Sequence, residues 1–430
     1  MSVISRFART GGWLRIGGVS LGSIIRRAGT PLYVYDARIM AEQYARLRAA
    51  MPEAVSLHFA VKANPNITVA RLFRELGAGA EIASAAELEA CLAAGFKPRD
   101  IIYAGPGKGE EDLRLAVRHG IGSINVESAR ELERVIAIAR KLKRRRPQGV
   151  CLRVNVEAAT GEGAGEIMIG GARKFGTDSS RIAPLVNKAL AARQINFLGF
   201  HCYAGTGIRD ANRLVAAYEA FARWAEAFAR RKKLAIQLLN FGGGLGVPYA
   251  DDESELDANA LGAALSGIHA RLARSPNFEK ARFILEPGRH LVGPAGVYVM
   301  RVTDLKVSHG RQYVITDGGI HHALLPIVMN KRYPTALVNR MGRRAAVACA
   351  IAGPLCAAAD QFSREVSLPR PRVGDYVGVF NSGAYGYSAG MLAFLSHPTP
   401  AEVLALGGAA WLIRERRAPD MGVPPRRLRP

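Results

Sequence analysis

The chain has 430 residues, 49% of them hydrophobic and 22% charged, so it can bury one large core and a smaller one, and two domains are expected. The five cysteines, at 91, 151, 202, 349 and 356, are odd in number and show no CxxC spacing, which argues against a disulfide framework or a metal site and fits a reducing, cytoplasmic compartment. There is no apolar N-terminal run of signal-peptide length, and no segment approaches the ~20 uninterrupted apolar residues of a membrane helix, so a soluble protein without a membrane partner is expected.

Lys and Arg outnumber Asp and Glu by 59 to 36, a formal charge of +23. Charge of that size admits nucleic acid as a partner. The basic residues are dispersed, however, with the densest runs at Lys141–Arg146 and in the tail Pro424–Pro430. The first run closes an apparent helix, where cations complement the macrodipole. The reading is therefore an arginine-rich solvated surface with no nucleic-acid partner, open to an acidic substrate or an acidic carrier protein.

In chain order, the first 30 residues, including Trp13-Leu14-Arg15-Ile16, match no barrel unit and are expected to add a strand to a later β domain. Between about 55 and 286, short apolar runs alternate with amphipathic stretches. The strand candidates are Ser56–Val61, Ala80–Ala83, Ile101–Ala104, Gly122–Val126, Val150–Val156, Phe197–Cys202, Ile236–Phe241 and Arg282–Glu286. Ser84-x-x-Glu87 and Ser128-x-x-Glu131 are capping boxes that start two of the helices, and Leu88, Cys91 and Leu92 give one a buried stripe. Eight such units predict an α/β fold built on a parallel (β/α)8 barrel, with chemistry at the C-terminal ends of its strands. A doubly wound sheet is the runner-up. After residue 290 the texture turns to β-branched runs, Val297–Val307, Gln312–Asp317, Ala345–Gly353 and Asp375–Phe380. The expected domains are thus a barrel over 31–288 and a mainly β domain over 289–430, joined by residues 1–30.

Four strand ends carry candidate chemistry. Lys62 follows the first strand in His58-Phe59-Ala60-Val61-Lys62-Ala63-Asn64-Pro65-Asn66. A lysine there either snorkels or works, and a partly desolvated barrel mouth suits an amine that must lose its proton to attack a carbonyl. Gly242-Gly243-Gly244 ends the seventh strand, where barrels of this type commonly bind phosphate through backbone amides, although a flexible turn is the plainer reading of three glycines. Glu286 ends the eighth strand in Glu286-Pro287-Gly288-Arg289, and it either works on a ligand or merely pairs with Arg289. His201 ends the sixth, in a position to stack on a flat ring or simply to be hydrogen-bonded in the core. Arg153, within the fifth strand, is expected to point inward toward Glu81 of the second.

Taken together, these residues resemble the fold-type III pyridoxal-phosphate enzymes, the alanine-racemase-like class, and within it the diaminopimelate/ornithine decarboxylase branch. The resemblance rests on FAVKANPN, EIASAAEL, NFGGGLG, EPGR, GPLC and SGAYG, and runs in order from Pro31-Leu32-Tyr33-Val34-Tyr35-Asp36 to Ala393-Phe394-Leu395-Ser396-His397-Pro398. It implies a barrel plus a β domain in a homodimer with shared active sites. It also implies that Lys62 holds pyridoxal 5'-phosphate as a Schiff base, that His201 stacks on the ring and that Glu286 faces the pyridine nitrogen. Thr206, Gly243, Gly244, Gly288, Arg289 and Tyr385 would bind the cofactor, and Cys356 would donate a proton from the neighbouring subunit. A carboxylate at the pyridine nitrogen favours decarboxylation, since racemases on this scaffold generally place a cation there.

Two departures bear on the substrate. Diaminopimelate decarboxylases follow the cysteine with Glu-Ser, whose acid binds the distal amino group; here Ala357-Ala358-Ala359-Asp360 follows Cys356. After Asp317-Gly318-Gly319 the usual Arg-Pro pair is missing, and the chain reads Ile320-His321-His322-Ala323-Leu324-Leu325-Pro326. These stretches look more like the sub-branch associated with exosortase loci and butirosin biosynthesis, in which a carrier-tethered γ-glutamyl group is decarboxylated. Substrate contacts are expected from Arg289, Tyr385 and Asp360, the last as the nearest acid able to replace the missing glutamate. The main expectation is a decarboxylase acting at an amino-acid α-carbon, on a free or a carrier-linked substrate. A racemase and a non-catalytic pyridoxal-phosphate-binding protein are the alternatives, the latter disfavoured by the β domain and Cys356.

Overall fold

The computed structural model describes residues 3–156 and 174–422. The chain divides into two compact units: Met40–Pro248 with Ser254–Val292, and Met1–Ile39 with Tyr249–Glu253 and Gly293–Pro430.

The first unit contains a closed parallel barrel. Its strands are Val55–Ala60, Gly79–Ile82, Ile101–Tyr103, Ser123–Val126, Gln148–Asn155, Ile195–His201, Leu238–Asn240 and Arg282–Leu285, paired in sequence order with the eighth returning to the first through Phe283 and Val55. All eight are the expected strands, so the barrel is the architecture and the open sheet is not. Strands three, five, seven and eight send Ile102, Cys151, Leu238 and Ile284 into one buried apolar cluster, and residues from strands that do not all adjoin can meet only inside the barrel. Such a layer makes the interior a packed core rather than a pore.

The helices follow from their caps and stripes. Ser128 accepts the Glu131 amide and starts Ala129–Lys141, which buries Leu132, Val135, Ile138 and Ala139 along one face and ends on Arg140 and Lys141. Each of the leucine, valine and isoleucine side chains so removed from water contributes about 1.5–3 kcal/mol. The expected capping boxes close one residue early: Glu87 accepts the Ala83 amide and Glu131 the Glu127 amide, rather than those of the capping serines. Glu131 also holds Lys108, whose ammonium is buried and donates to the Gly105 and Asn125 carbonyls as well.

The second unit is mainly β. Its central path pairs Gly296–Ser308 with Arg311–Thr316 on one side and with Leu32–Asp36 on the other, and Leu32–Asp36 pairs in turn with Ala401–Leu406. Residues 31–39, expected to open the barrel, therefore belong to the β unit, because Leu-Tyr-Val-Tyr-Asp is buried throughout and takes a place inside that sheet. Trp13–Ile16 lies in the same unit, but within a separate antiparallel sheet with Ala8–Thr10 and Val19–Ser20. The arginine-rich tail Pro424–Pro430 lies outside the described residues. Among those described, no helix is long and apolar enough to cross a membrane.

Candidate active site

The barrel unit brings Lys62, His201, Thr206, Gly243, Gly244, Glu286, Gly288 and Arg289 to the C-terminal ends of strands one, six, seven and eight. Lys62 lies in a single helical turn, Val61–Ala63, directly after the first strand. Its ammonium donates to both oxygens of Glu81, at 2.7 and 2.8 Å. Glu81 is fully buried on the neighbouring strand, where Ala60 pairs with it in register. The expected Arg153–Glu81 contact is thus replaced. Arg153 pairs at 2.9 Å with Glu127, which follows the adjacent fourth strand, and its guanidinium lies over the Phe175 ring.

Glu286 is held from the seventh strand. Asn240 donates to Glu286 Oε1 at 2.6 Å and accepts the Gly242 amide at 2.9 Å, so one buried side chain fixes both the carboxylate and the start of the glycine run. The run is glycine because of close approach. A Cβ on Gly243 would stand 2.2 Å from the Glu286 carbonyl, and one on Gly244 2.2 Å from the Gly205 carbonyl. Ile208 donates to the Gly244 carbonyl at 2.9 Å and ties the Gly205-Thr206-Gly207 loop to this one. Gly288 packs on the methyl groups of Ala60 and Ala63, on either side of the Lys62 turn. Arg289, also buried, opens a single helical turn, Arg289–Val292.

His201 is buried, with Nε2 3.5 Å from Glu286 Oε2, and neither ring nitrogen has a hydrogen-bond partner. Burial lowers the imidazole's affinity for a proton. Burial also opposes charge on Glu286, but the adjacent His201, the Lys62 ammonium and the Asn240 amide outweigh it and hold the carboxyl low, at about 2. Glu81 behaves in the opposite way: burial outweighs the Lys62 ammonium and, with Glu286 nearby, pushes it up to about 7. The barrel mouth thus combines an ionised carboxylate, a poised carboxyl bridged to a lysine and a buried imidazole 3.5 Å from that first carboxylate.

Cys356, Asp360 and Tyr385 belong to the β unit. Cys356 is exposed in the turn between Val347–Ala352 and Gln361–Leu368. Asp360 is buried, and its two oxygens accept the Ile320 and Leu355 amides at 2.8 and 2.9 Å. Tyr385 has φ 54°, a left-handed backbone that costs an aromatic residue roughly 1–3 kcal/mol. Sequence reasoning missed Glu81 as the partner of Lys62, and also Asn240. Both were accessible in principle, since consecutive strands of a parallel barrel end side by side.

The profile of the pyridoxal-dependent decarboxylases, pyridoxal binding domain, matches residues 37–293. The chain belongs to this family. It is 34% identical over 415 residues to the L-glutamyl-[BtrI acyl-carrier protein] decarboxylase of Niallia circulans, covering 95% of this chain and 96% of that one. It is likewise 34% identical over 426 residues to the diaminopimelate decarboxylase of Aquifex aeolicus, covering 96% of each. Among solved structures, diaminopimelate decarboxylase from M. jannaschi superposes with a TM-score of 0.88 at 27% identity, covering 97% of this chain and 96% of that one. This member of the pyridoxal-dependent decarboxylases is a fold-type III carboxy-lyase acting at the α-carbon of an amino acid, and the racemase and non-catalytic alternatives give way to that reading.

Proposed function

We propose that Lys62 is the amine that holds pyridoxal 5'-phosphate, with His201 against one face of the ring, Glu286 at its pyridine nitrogen, and Thr206, Gly243, Gly244, Gly288, Arg289 and Tyr385 around its phosphate and edges. The observation that carries this reading is the joint arrangement of Lys62 on Glu81 and of an ionised Glu286 beside an imidazole with no hydrogen-bond partner. When bound, the cofactor supplies an electron sink for the charge left on the α-carbon as CO2 departs. The chain's own groups do the rest. Glu286, fixed by Asn240, keeps a negative charge where a protonated ring nitrogen would sit. Glu81 holds the Lys62 amine in place and, poised at about 7, can take a proton from it. His201, buried with Nε2 3.5 Å from Glu286 Oε2, offers its flat ring for stacking. Cys356 is the proton donor to the α-carbon, acting across a homodimer in a reducing cytoplasmic setting.

For the substrate, the reading is an amino acid with a neutral or conjugated distal end, including one tethered to a carrier protein, rather than meso-diaminopimelate. Ala357-Ala358-Ala359 offers no charged reader, and the oxygens of Asp360 are already committed to backbone amides. The relative whose printed substrate is a glutamyl carrier protein supports the conjugated alternative.

Two measurements test these readings. Borohydride reduction of the cofactor-loaded protein followed by peptide mass spectrometry is expected to place a pyridoxyl group on Lys62 and to find none on Lys62→Ala; a covalently fixed group in that variant would sink the lysine assignment. Release of CO2 from a panel of free and carrier-linked amino acids is expected to be fastest with a conjugated one. Equal or faster turnover of meso-diaminopimelate overturns the substrate reading alone.

A further inference from the structure

At the opposite end of the barrel from Lys62, the strand N-termini surround a cavity of about 500 Å³. Its lining includes Val55, Gly79, Ser123, Leu238 and Arg282, each at the start of its strand, whereas the residues of the candidate active site follow strand ends. Ile102, Leu238 and Ile284 form one wall of it. They belong to the apolar layer that fills the barrel, so the cavity and the Lys62 site lie on opposite sides of packed core.

The cavity is cationic. Arg48, Arg74, Lys97, Arg99 and Arg282 line it, against two carboxylates, Glu53 and Asp100. Arg48 is spent on the Val55, Met51 and Pro52 carbonyls, and Arg99 lies near Asp100 at 3.8 Å. Arg74 pairs through Nη2 with Glu75 at 3.0 Å and keeps only its buried Nε without a partner, whereas Lys97 and Arg282, both exposed, enter no ion pair among the described residues. In the wall is His58, only 8% exposed, whose Nδ1 also lacks a partner. The imidazole lies flat against Gly79, where an added Cβ would come within 2.4 Å of the ring. Buried polar atoms are rarely left unpaired, and a group in that state inside a cavity is available to a ligand. The volume falls within the range of about 300–1,000 Å³ typical of small-molecule sites.

We infer that the N-terminal mouth of the barrel is a second, non-catalytic binding site for a small multivalent anion carrying phosphate or carboxylate groups. Lys97 and Arg282 meet its charges, and the unpaired Arg74 Nε and His58 Nδ1 meet its oxygens or a hydroxyl. The inference is independent of which amino acid is decarboxylated.

The test is calorimetric titration of the cofactor-loaded enzyme, whose own phosphate loop is then filled, with pyrophosphate and separately with citrate in chloride buffer. Saturable binding of about one anion per chain is expected for at least one of them, and the preferred anion assigns the phosphate or the carboxylate class. The double variant Lys97→Glu/Arg282→Glu, altered only at exposed positions, is expected to lose affinity at least about ten-fold while decarboxylating at the wild-type rate. His58→Phe, which keeps the ring and removes Nδ1, should weaken binding as well. Absence of saturable binding of both anions, or undiminished affinity in the double variant, overturns the site. If His58→Phe fails to fold, the charge-reversed pair still decides.

Discussion

Glu286 and Glu81 lie at the same barrel mouth with opposite proton affinities, and the difference comes from their neighbours rather than from burial, which is complete or nearly so for both. Glu286 has the Asn240 amide, His201 and Lys62; Glu81 has the Lys62 ammonium alone to offset desolvation. Glu286→Gln keeps the shape and the Asn240 contact but removes the charge. Because that charge matters most as negative charge develops at the α-carbon, turnover is expected to fall by at least about ten-fold, about 1.4 kcal/mol in the barrier, with a smaller change in cofactor affinity. Steady-state turnover set beside cofactor titration checks this. Unchanged turnover with weakened cofactor binding would make Glu286 an anchor only. Lys62, His201 and Glu286 were legible because each ends an apolar strand, where a polar residue is out of place. The pairing of Glu81 was not, because spacing along the chain does not say which of two inward residues a third will meet. Strand adjacency does: Lys62 and Glu81 lie near the C-terminal ends of neighbouring strands, as do Glu127 and Arg153.

The turn after Val347–Ala352 illustrates how an element turns sequence into specificity. Asp360 accepts two amides through its carboxylate and its own amide donates to the Ala357 carbonyl at 3.0 Å, so the tip carrying Cys356 and Ala357 is pinned from within. A Cβ at Gly353 would come within 2.3 Å of that carboxylate and one at Gly319 within 2.5 Å, which explains glycine at both. With Asp360 so engaged, Ala357→Glu introduces a carboxylate that the native turn lacks. A charge-assisted contact to a distal ammonium contributes about 1.5–3 kcal/mol, so kcat/KM for meso-diaminopimelate is expected to rise by roughly one to two powers of ten. Steady-state assays of both proteins with that substrate decide the matter, and an unchanged ratio would remove Ala357 from the specificity argument. The eight barrel strands were visible in the sequence because each is a short apolar run set apart by helical stretches. Gln361–Leu368 was missed because it mixes charge with apolar residues, which blurs the alternation, and Ala409–Arg414 because its apolar residues lie largely exposed at a sheet edge and show no alternation.

For the whole molecule, the pH dependence of stability should carry the mark of the β unit. His321 and His322 lie with ring centroids 3.7 Å apart and planes tilted by 44°, and His397 lies 5.1 Å from His321. Tyr298 and the Pro398 carbonyl hold the His322 ring, while both His321 nitrogens are buried without partners. Burial, followed by the neighbouring imidazole, lowers His321 to about 4 and His322 to about 3. An unfolded histidine binds its proton near pH 6.5. The unfolded chain therefore takes up protons that the fold refuses, and stability present at neutral pH is lost as pH falls from about 6.5 toward about 3. Glu81 acts in the opposite sense, favouring the fold as pH drops from about 7 to 4.5. Replacing His321 by Phe removes one of the refused protons and breaks no hydrogen bond. Its melting temperature is expected to fall less than that of the wild type between pH 7.5 and pH 5, by a difference on the order of 1–3 kcal/mol in stability. Equal slopes would show that the His321–His322 pair does not govern acid sensitivity.

The strand Leu32–Asp36 has a consequence for how the protein is made. Its antiparallel partner begins at Gly296, some 260 residues further along, and its parallel partner at Ala401 comes later still. At about 5–20 residues per second of synthesis, that strand waits roughly 13–50 seconds on the ribosome before either neighbour exists, while the whole stretch from Met40 to Val292 emerges in between. All eight barrel strands emerge in that interval, whereas Leu-Tyr-Val-Tyr has no sheet neighbour to bury it. The nascent chain thus carries Leu32–Asp36 without its sheet partners until more than half of the protein has been made.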